Sequence, residues 1–437
     1  MKFASPPTIS GALLILALVT ACGGPTATQA SPTASPTIAP TASATPAPPD
    51  AVFAWNSVAV RTTVTNAKMA QAQSFMYIGP TQAAVYDAVL AIRGGYQPYA
   101  RALAARPGAS VDAAIATAAH DVLASYFPTQ VADLDADLAT SLAAIADGTA
   151  KTDGVAVGKE AATANLDKRQ GAGLEADIKF VLPAVAPGKW QPPQGQGPQT
   201  PWVSRVKPFT LERPDQFRAP APPDLKSPEW AKDYNEIKTV GGATSTVRTS
   251  EQTDIAKFWT SNTVVQYNAA FKAVAQAKKF DAVQAARLFA MGNMIAADAL
   301  IACFDSKYQY LLWRPQYAIP LGESDGNPDT AGDPSWTPLV GTPNHPEYPS
   351  AHACVSGAEA EVFATVLGTR QIDVDITSTA AGVTQTTRHY KTADDIITEV
   401  TGARIWSGLH YRFSMIAGLA IAKSVSALAL GANFKAK

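Results

Sequence analysis

Three short blocks in the last third of the chain carry residues able to do chemistry together. They are Lys307 and Arg314 in K-Y-Q-Y-L-L-W-R-P, Ser350 and His352 in Y-P-S-A-H, and Arg404 and His410 in A-R-I-W-S-G-L-H. The set comprises three cations, one hydroxyl and two imidazoles. A protein rarely gathers such groups without an anion to neutralise, so the blocks point to a tetrahedral or trigonal-bipyramidal oxyanion. The chain as a whole is balanced, with 35 Lys and Arg against 36 Asp and Glu, so the cations are a local feature and not a basic surface. That balance argues against nucleic acid as a partner, which asks for a basic patch or stripe, and against polybasic contact with a membrane.

The spacing says which elements must position these groups. Lys307 and Arg314 are seven apart, two turns of one helix, and so share a face. Pro315 cannot continue that helix, which places Arg314 at its C-terminal end, where the dipole also favours a cation. Ser350 follows Pro349 and precedes a long apolar run, as an N-cap does. The N–H groups of Ala351 and His352 would then point out of a helix start, a ready anion site with His352 above it as acid or base. Arg404 and His410 are six apart and off one helical face, so Ser407-Gly408 must bend the chain to bring both inward, with Tyr411 and Phe413 as aromatic walls.

Helical periodicity dominates from residue 51 onward. It predicts helices over 74–92, 111–126, 131–146, 152–167, 250–276, 281–312, 350–367, 392–406 and 415–430. No alternating run marks a sheet; only 382–387 reads as a short extended piece. Two long irregular segments, 183–228 and 320–349, interrupt the helices. Loops of that length are usually functional, and the second runs straight into Y-P-S-A-H, so it is expected to wall the pocket.

The three blocks resemble those of the vanadium-dependent haloperoxidases and the related type 2 phosphatidic acid phosphatases. That superfamily shows Lys, six residues, Arg-Pro, then Pro-Ser-Gly-His, then Arg, five residues, His. This chain has K-x6-R-P, P-S-A-H and R-x5-H in the same order. The segments A-D-A-L-I-A-C-F-D-S-K-Y-Q-Y-L-L-W-R-P and H-P-E-Y-P-S-A-H are similar to the bacterial haloperoxidase branch. The resemblance and the periodicity together imply an all-α fold, two packed four-helix bundles, spanning residues 51–437. The resemblance implies vanadate as cofactor. Lys307, Arg314 and Arg404 would neutralise its equatorial oxygens, Ser350 and the Ala351 N–H would donate to it, His410 would ligate the metal, and His352 would be the acid–base group. A His-ligated peroxo-vanadate would then oxidise halide with hydrogen peroxide, and a small organic acceptor would take the halogen.

In the phosphatase branch the same pocket takes phosphate, His410 attacks phosphorus and His352 protonates the leaving group. Ser414 stands four after His410, where the superfamily often has Asp. Without that carboxylate to activate the imidazole, the phosphatase reading weakens more than the vanadate one, and a carbonyl is expected on the other ring nitrogen. Ala351 replaces the usual Gly and narrows the approach to the anion. By the same resemblance His345 and Phe304 line the substrate pocket, with His345 favouring bromide; the plain alternative for His345 is a solvated loop histidine. A third reading is a lipoprotein that captures an oxyanion without turnover.

The remaining features are less specific. Asp325, Asn327 and Asp329 resemble the start of a calcium loop, but Trp336 stands where the closing Glu belongs, so a solvated acidic loop is expected. His120 reads as a helix residue and His389 as a surface loop residue. Cys303 and Cys354 could pair in an oxidising compartment, but two buried thiols are the slightly favoured reading. At the N-terminus, Lys2 and an apolar run over 9–20 read as an export signal too short to span a bilayer. Val19-Thr20-Ala21-Cys22-Gly23 resembles a lipobox. The expected organisation is a signal over 1–21, lipidation of Cys22, a Pro/Thr/Ala/Ser-rich tether over 22–50, and an exported, membrane-anchored catalytic domain.

Overall fold

The computed structural model describes residues 49–178 and 180–437. The expected signal, Cys22 and nearly all of the tether lie outside them. The described chain forms thirteen α-helices and one hairpin: α1 Asp50–Val60, α2 Gln71–Arg93, α3 Val111–Tyr126, α4 Val131–Ala143, α5 Thr149–Arg169, α6 Pro228–Val240, α7 Ser250–Phe258, α8 Thr263–Ala277, α9 Ala282–Tyr310, α10 Pro315–Ala318, α11 Ala351–Leu367, α12 Ala393–Trp406 and α13 Arg412–Ala432, with β1 Gln371–Thr377 and β2 Thr387–Thr392 between α11 and α12. The all-α expectation holds.

Helix α9 is the organising element. Asp281 caps it with a reciprocal Gln284 contact, and its run from Ala285 to Lys307 is buried nearly all round. A helix that is apolar on every side belongs in a core and not at a surface. It packs on α2 on one side and on α11 and α13 on the other, so the two helical groups meet along it. The first group is α2, α3 and α5 with α1 and α4 against them. There Gly158 lets α5 approach α3 closely, since a Cβ would lie 2.6 Å from the Ala114 carbonyl oxygen. Both α9 and α13 are long and apolar enough to cross a membrane, but α9 is wholly enclosed by protein.

Four expectations need correction. The helix predicted over 250–276 is two helices, because Asn262 caps a new start with its side chain accepting from Val264 N–H. The helix predicted to carry Arg314 stops at Tyr310, where Leu311 adopts a left-handed conformation (φ 56°), and Arg314 lies beyond it in extended backbone. The C-terminal dipole of α9 therefore does not hold Arg314, which stands instead as the N-cap of α10. A hairpin is present where no sheet was expected. In β1, Ile372, Val374 and Ile376 are buried and their neighbours exposed, a period-two pattern only seven residues long; β2 pairs antiparallel to it. His389 accordingly sits on a strand and not in a loop, between Asp373 and Asp375. Helices α1 and α6 were not anticipated.

The Asp325–Asp329 segment is also not a solvated loop. Asp325 and Asn327 are buried, and the Asp325 carboxylate accepts from Trp230 Nε1, Asn327 N–H and Thr330 Oγ1. Its oxygens are committed to pinning the loop to α6. Among the described residues no group of three or more His, Cys, Asp or Glu is arranged to hold a metal ion.

His120 on α3 contributes a pH-dependent tie. Nδ1 lies 2.7 Å from Asp121 and Nε2 2.9 Å from Asp135 on α4. The Asp121 hydrogen bond, then the Asp135 bond and both negative charges, outweigh burial and raise its pKa above the ordinary value. A histidine with a raised folded pKa stabilises fully below its unfolded pKa, about 6.5, and loses that contribution as pH rises through the folded value. The stability gap between the native protein and His120→Gln should therefore narrow as pH is raised from 6 to 9, followed by urea unfolding. A gap constant over that range would show that the two carboxylates do not charge the ring.

Candidate active site

The three sequence blocks converge. Lys307, Arg314 and Ser350 are fully buried, and Arg404 and His410 nearly so. The site opens on a cavity of about 290 Å³ whose lining includes Ala351, His352, Arg404, His410, Phe304 and His345.

Each group is placed by a local feature. Lys307 lies in the last turn of α9, and its ammonium donates to the carbonyls of Pro346 and Glu347, both at 2.9 Å. Arg314 is held from three sides: Nε donates to the His345 carbonyl at 3.0 Å, Nη1 to the Leu409 carbonyl at 3.1 Å, and Nη2 faces His345 Nδ1 at 3.0 Å. Ser350 caps α11 by accepting from Ala353 N–H at 3.4 Å, so the N–H groups of Ala351 and His352 are first-turn donors without intrahelical partners. Arg404 closes α12. After it Gly408 adopts φ 78°, a conformation that favours glycine, and the chain folds back so that His410 N–H donates to the Arg404 carbonyl at 3.3 Å. The bend expected at Ser407-Gly408 is what lets residues six apart face one cavity.

The protonation pattern of His410 follows from its neighbours. Arg314 Nη1 stands 3.1 Å from Nε2. A guanidinium can only donate, so Nε2 is the bare nitrogen and the ring proton sits on Nδ1. That Nδ1 lies 2.9 Å from Glu347 Oε1. The expected carbonyl partner is thus a carboxylate, from the loop before Ser350 and not from position 414. Ser414 serves the same carboxylate, donating to Oε2 at 2.5 Å. Glu347 was not singled out in the sequence, although it lies within H-P-E-Y-P-S-A-H; nothing in a lone loop glutamate signals total burial.

Electrostatics set the character of the site. Burial lowers Lys307 to about 8, Arg314 to about 10 and Arg404 to about 9, with repulsion from Arg314 adding to burial for Arg404. Burial raises Glu347 to about 7, against the lowering effect of the Ser414 hydrogen bond and the two nearby cations. Burial and the surrounding cations push His345, His352 and His410 well below the ordinary range, so all three are neutral.

Two of the three cations, Lys307 and Arg314, lie near the one carboxylate, and donors and acceptors remain unused. Arg404 Nε has no partner, and its side-chain hydrogen bond runs from Nη1 to the Trp259 carbonyl at 3.0 Å. His352 Nε2 is likewise buried and unpartnered. Buried polar groups are normally satisfied, so a polyvalent oxyanion in the cavity fits this donor set. The break after α7 matters here, since it frees the Trp259 carbonyl to hold Arg404.

His345 is buried, with its ring 5.4 Å from that of Phe304; it is not a solvated loop residue. Cys303 and Cys354 are free, buried thiols. Residues 343 and 345, and 199 and 200, line the cavity, so both irregular segments contribute to its wall.

The chain is similar to known proteins in sequence and in fold. Residues 287–435 match the family model described as the VCPO second helical-bundle domain. The chain is 26% identical over 300 residues to the vanadium chloroperoxidase of Curvularia inaequalis, a match covering 52% of this chain and 49% of that protein. The chain therefore spans about half the length of that curated relative. Its fold is similar to that of a bacterial vanadium-dependent iodoperoxidase, with TM-score 0.74 and 21% identity over 89% of this chain and 97% of the other. It is also similar to a holo-type bacterial vanadium-dependent chloroperoxidase, with TM-score 0.66 and 18% identity over 82% and 92%.

Arg404→Met separates the anion-binding role of this residue from a structural one. Removing a charge-assisted donor worth about 1.5–3 kcal/mol should weaken phosphate and orthovanadate binding roughly 10- to 100-fold by titration calorimetry. The same change relieves repulsion among buried cations, so the melting temperature of the ligand-free protein should hold or rise. A lower melting temperature with unchanged oxyanion affinity would give Arg404 a structural task only.

Proposed function

We propose that this chain, which is similar to vanadium haloperoxidases in sequence and fold, binds vanadate and oxidises halide with hydrogen peroxide. One observation carries the reading: three buried cations surround a bare imidazole nitrogen at a cavity holding further unpartnered polar atoms. Bound vanadate supplies a Lewis-acid centre at which peroxide is activated toward halide.

The protein's own groups supply the rest. Lys307, Arg314 and Arg404 hold the anion's negative charge, and the Ser350 hydroxyl and the first N–H groups of α11 donate to it. Glu347 keeps the ring proton on Nδ1, so the His410 Nε2 lone pair, which Arg314 Nη1 meets at 3.1 Å, would be released to the central atom as Arg314 turns to the anion. His352, neutral and with Nε2 free, accepts a proton from the incoming peroxide and returns it to the leaving oxygen. Leu300, Phe304 and Val355 form an apolar wall on the same cavity, which lowers the local dielectric and strengthens these contacts. His345 beside Phe304 supports bromide as the preferred halide, with a small organic acceptor taking the oxidised halogen.

A second reading has a specific observation in its favour. Glu347 on Nδ1 raises the basicity of Nε2, as the orienting acid does in a catalytic triad. An imidazole so backed suits attack on phosphorus, with His352 as the general acid. The carboxylate whose absence at 414 weakened the phosphatase reading enters from elsewhere in the chain. The apolar run and Cys22 support export and lipid anchoring, which radiolabelled palmitate incorporation with a Cys22→Ala control would test.

Bromination of an activated ketone by the vanadate-loaded protein, with peroxide and bromide, tests the first reading. Turnover should require vanadate, vanish in His410→Ala, and fall about 10²-fold or more in His352→Ala. Hydrolysis of an aryl phosphate that vanadate inhibits, without bromination, would establish the second reading in its place.

A further inference from the structure

Glu347 is held at every polar atom it has. Its N–H donates to the Leu312 carbonyl at 2.9 Å, and its own carbonyl accepts from Lys307 Nζ at 2.9 Å. Carboxylate Oε1 accepts from His410 Nδ1 at 2.9 Å and from Tyr411 N–H at 3.1 Å, and Oε2 accepts from the Ser414 hydroxyl at 2.5 Å. The residue has no solvent exposure. A buried carboxylate costs several kcal/mol to desolvate, so one fixed by three donors occupies a single, well-defined seat. The residue ties the cation of α9, through its carbonyl, to the imidazole before α13, through its carboxylate.

We propose that Glu347 is the positioning residue of the oxyanion site, and that Ser414 and the Tyr411 N–H form a seat holding its carboxylate against His410 Nδ1. The inference rests on the reading of the cavity as an oxyanion site and deepens it. Without Glu347 the imidazole can carry its proton on either nitrogen. The form protonated on Nε2 has no lone pair for a central atom and meets the Arg314 N–H donor to donor. Glu347 removes that form and fixes the ring plane, as outer-shell carboxylates do for metal-bound histidines.

The seat also predicts an interchange. The Ser414 oxygen lies within hydrogen-bond distance of Oε2. An Asp at 414 would place its carboxyl carbon near the present Oγ, beside the space that the Glu347 carboxylate fills. With the Glu347 side chain removed, a carboxylate supplied from α13 can enter that space and face Nδ1.

The test uses the full chain with ¹⁵N-histidine labelling, and inorganic phosphate and orthovanadate as probes. In the native protein without anion, His410 should show the signature of a ring protonated on Nδ1. Glu347→Ala should mix or invert that signature and weaken both anions roughly 10- to 100-fold. Glu347→Gln keeps an acceptor for Nδ1 but loses the charge, so the signature should persist with a smaller loss of affinity. The double variant Glu347→Ala with Ser414→Asp should restore the Nδ1 signature and return affinity to within a few-fold of native. Circular dichroism identifies variants that fail to fold; if Glu347→Ala is one, Glu347→Gln and the double variant still decide. An unchanged signature and affinity in Glu347→Ala, or a folded double variant without rescue, overturns the positioning role. Absence of phosphate and vanadate binding by the native protein overturns the oxyanion-site reading itself, whatever the ring signature shows.

Discussion

Three cations buried within a few side chains of one another are the constraint around which the C-terminal half of this protein is arranged. Each guanidinium or ammonium taken out of water carries a desolvation cost of several kcal/mol, and their mutual repulsion adds to it. The fold offsets this with carbonyl oxygens brought from separate parts of the chain: Pro346 and Glu347 for Lys307, His345 and Leu409 for Arg314, Trp259 for Arg404. None of these carbonyls is tied up in a helix interior. Trp259 accordingly lies beyond the end of α7, and residues 345–347 lie in the irregular loop that leads to Ser350. A continuous helix at any of these points would have consumed the acceptor.

The carbonyls neutralise dipoles and not charge, and one carboxylate cannot balance three cations. The net positive charge that remains is the physical basis of anion affinity. Carboxylates could have been placed beside every cation, as around Arg388, which meets Glu251, Asp254 and Glu399 in a structural network elsewhere in the molecule. Arg388 is a cation used to hold the fold, whereas Arg404 meets no carboxylate, as the proposed anion site requires.

A haloperoxidase and a phosphatase ask similar things of such a frame. Both need cations for a polyvalent oxyanion, a bare imidazole nitrogen aimed at its central atom, and a second histidine able to move a proton. Arg314 and Glu347 produce the bare nitrogen from opposite sides of the His410 ring. The difference between the two chemistries then lies in which anion fills the site and which substrates the wall of His345 and Phe304 admits.

The sequence by itself determined most of the helices and singled out the three blocks that the fold brings together. Apolar periodicity marked most of the helices, including 111–126 to the residue, because a helix buried on one face must repeat every three to four positions. The three blocks were legible because each function depends on a short local device: the last turn of α9, the Ser350 cap and the Gly408 turn. What only the tertiary structure decided are the contacts between segments distant in sequence. Glu347 reaches His410 across 63 positions and Arg404 reaches the Trp259 carbonyl across 145, and neither pairing leaves a periodic or local trace. The hairpin was missed because Q-I-D-V-D-I-T is too short to stand out among helices, and the end of α9 because Leu311 turns left-handed without a glycine. Local chemistry is written along the chain. The partner of a buried charge is selected by packing, since only the folded interior shows which polar groups have been cut off from water and must find one another.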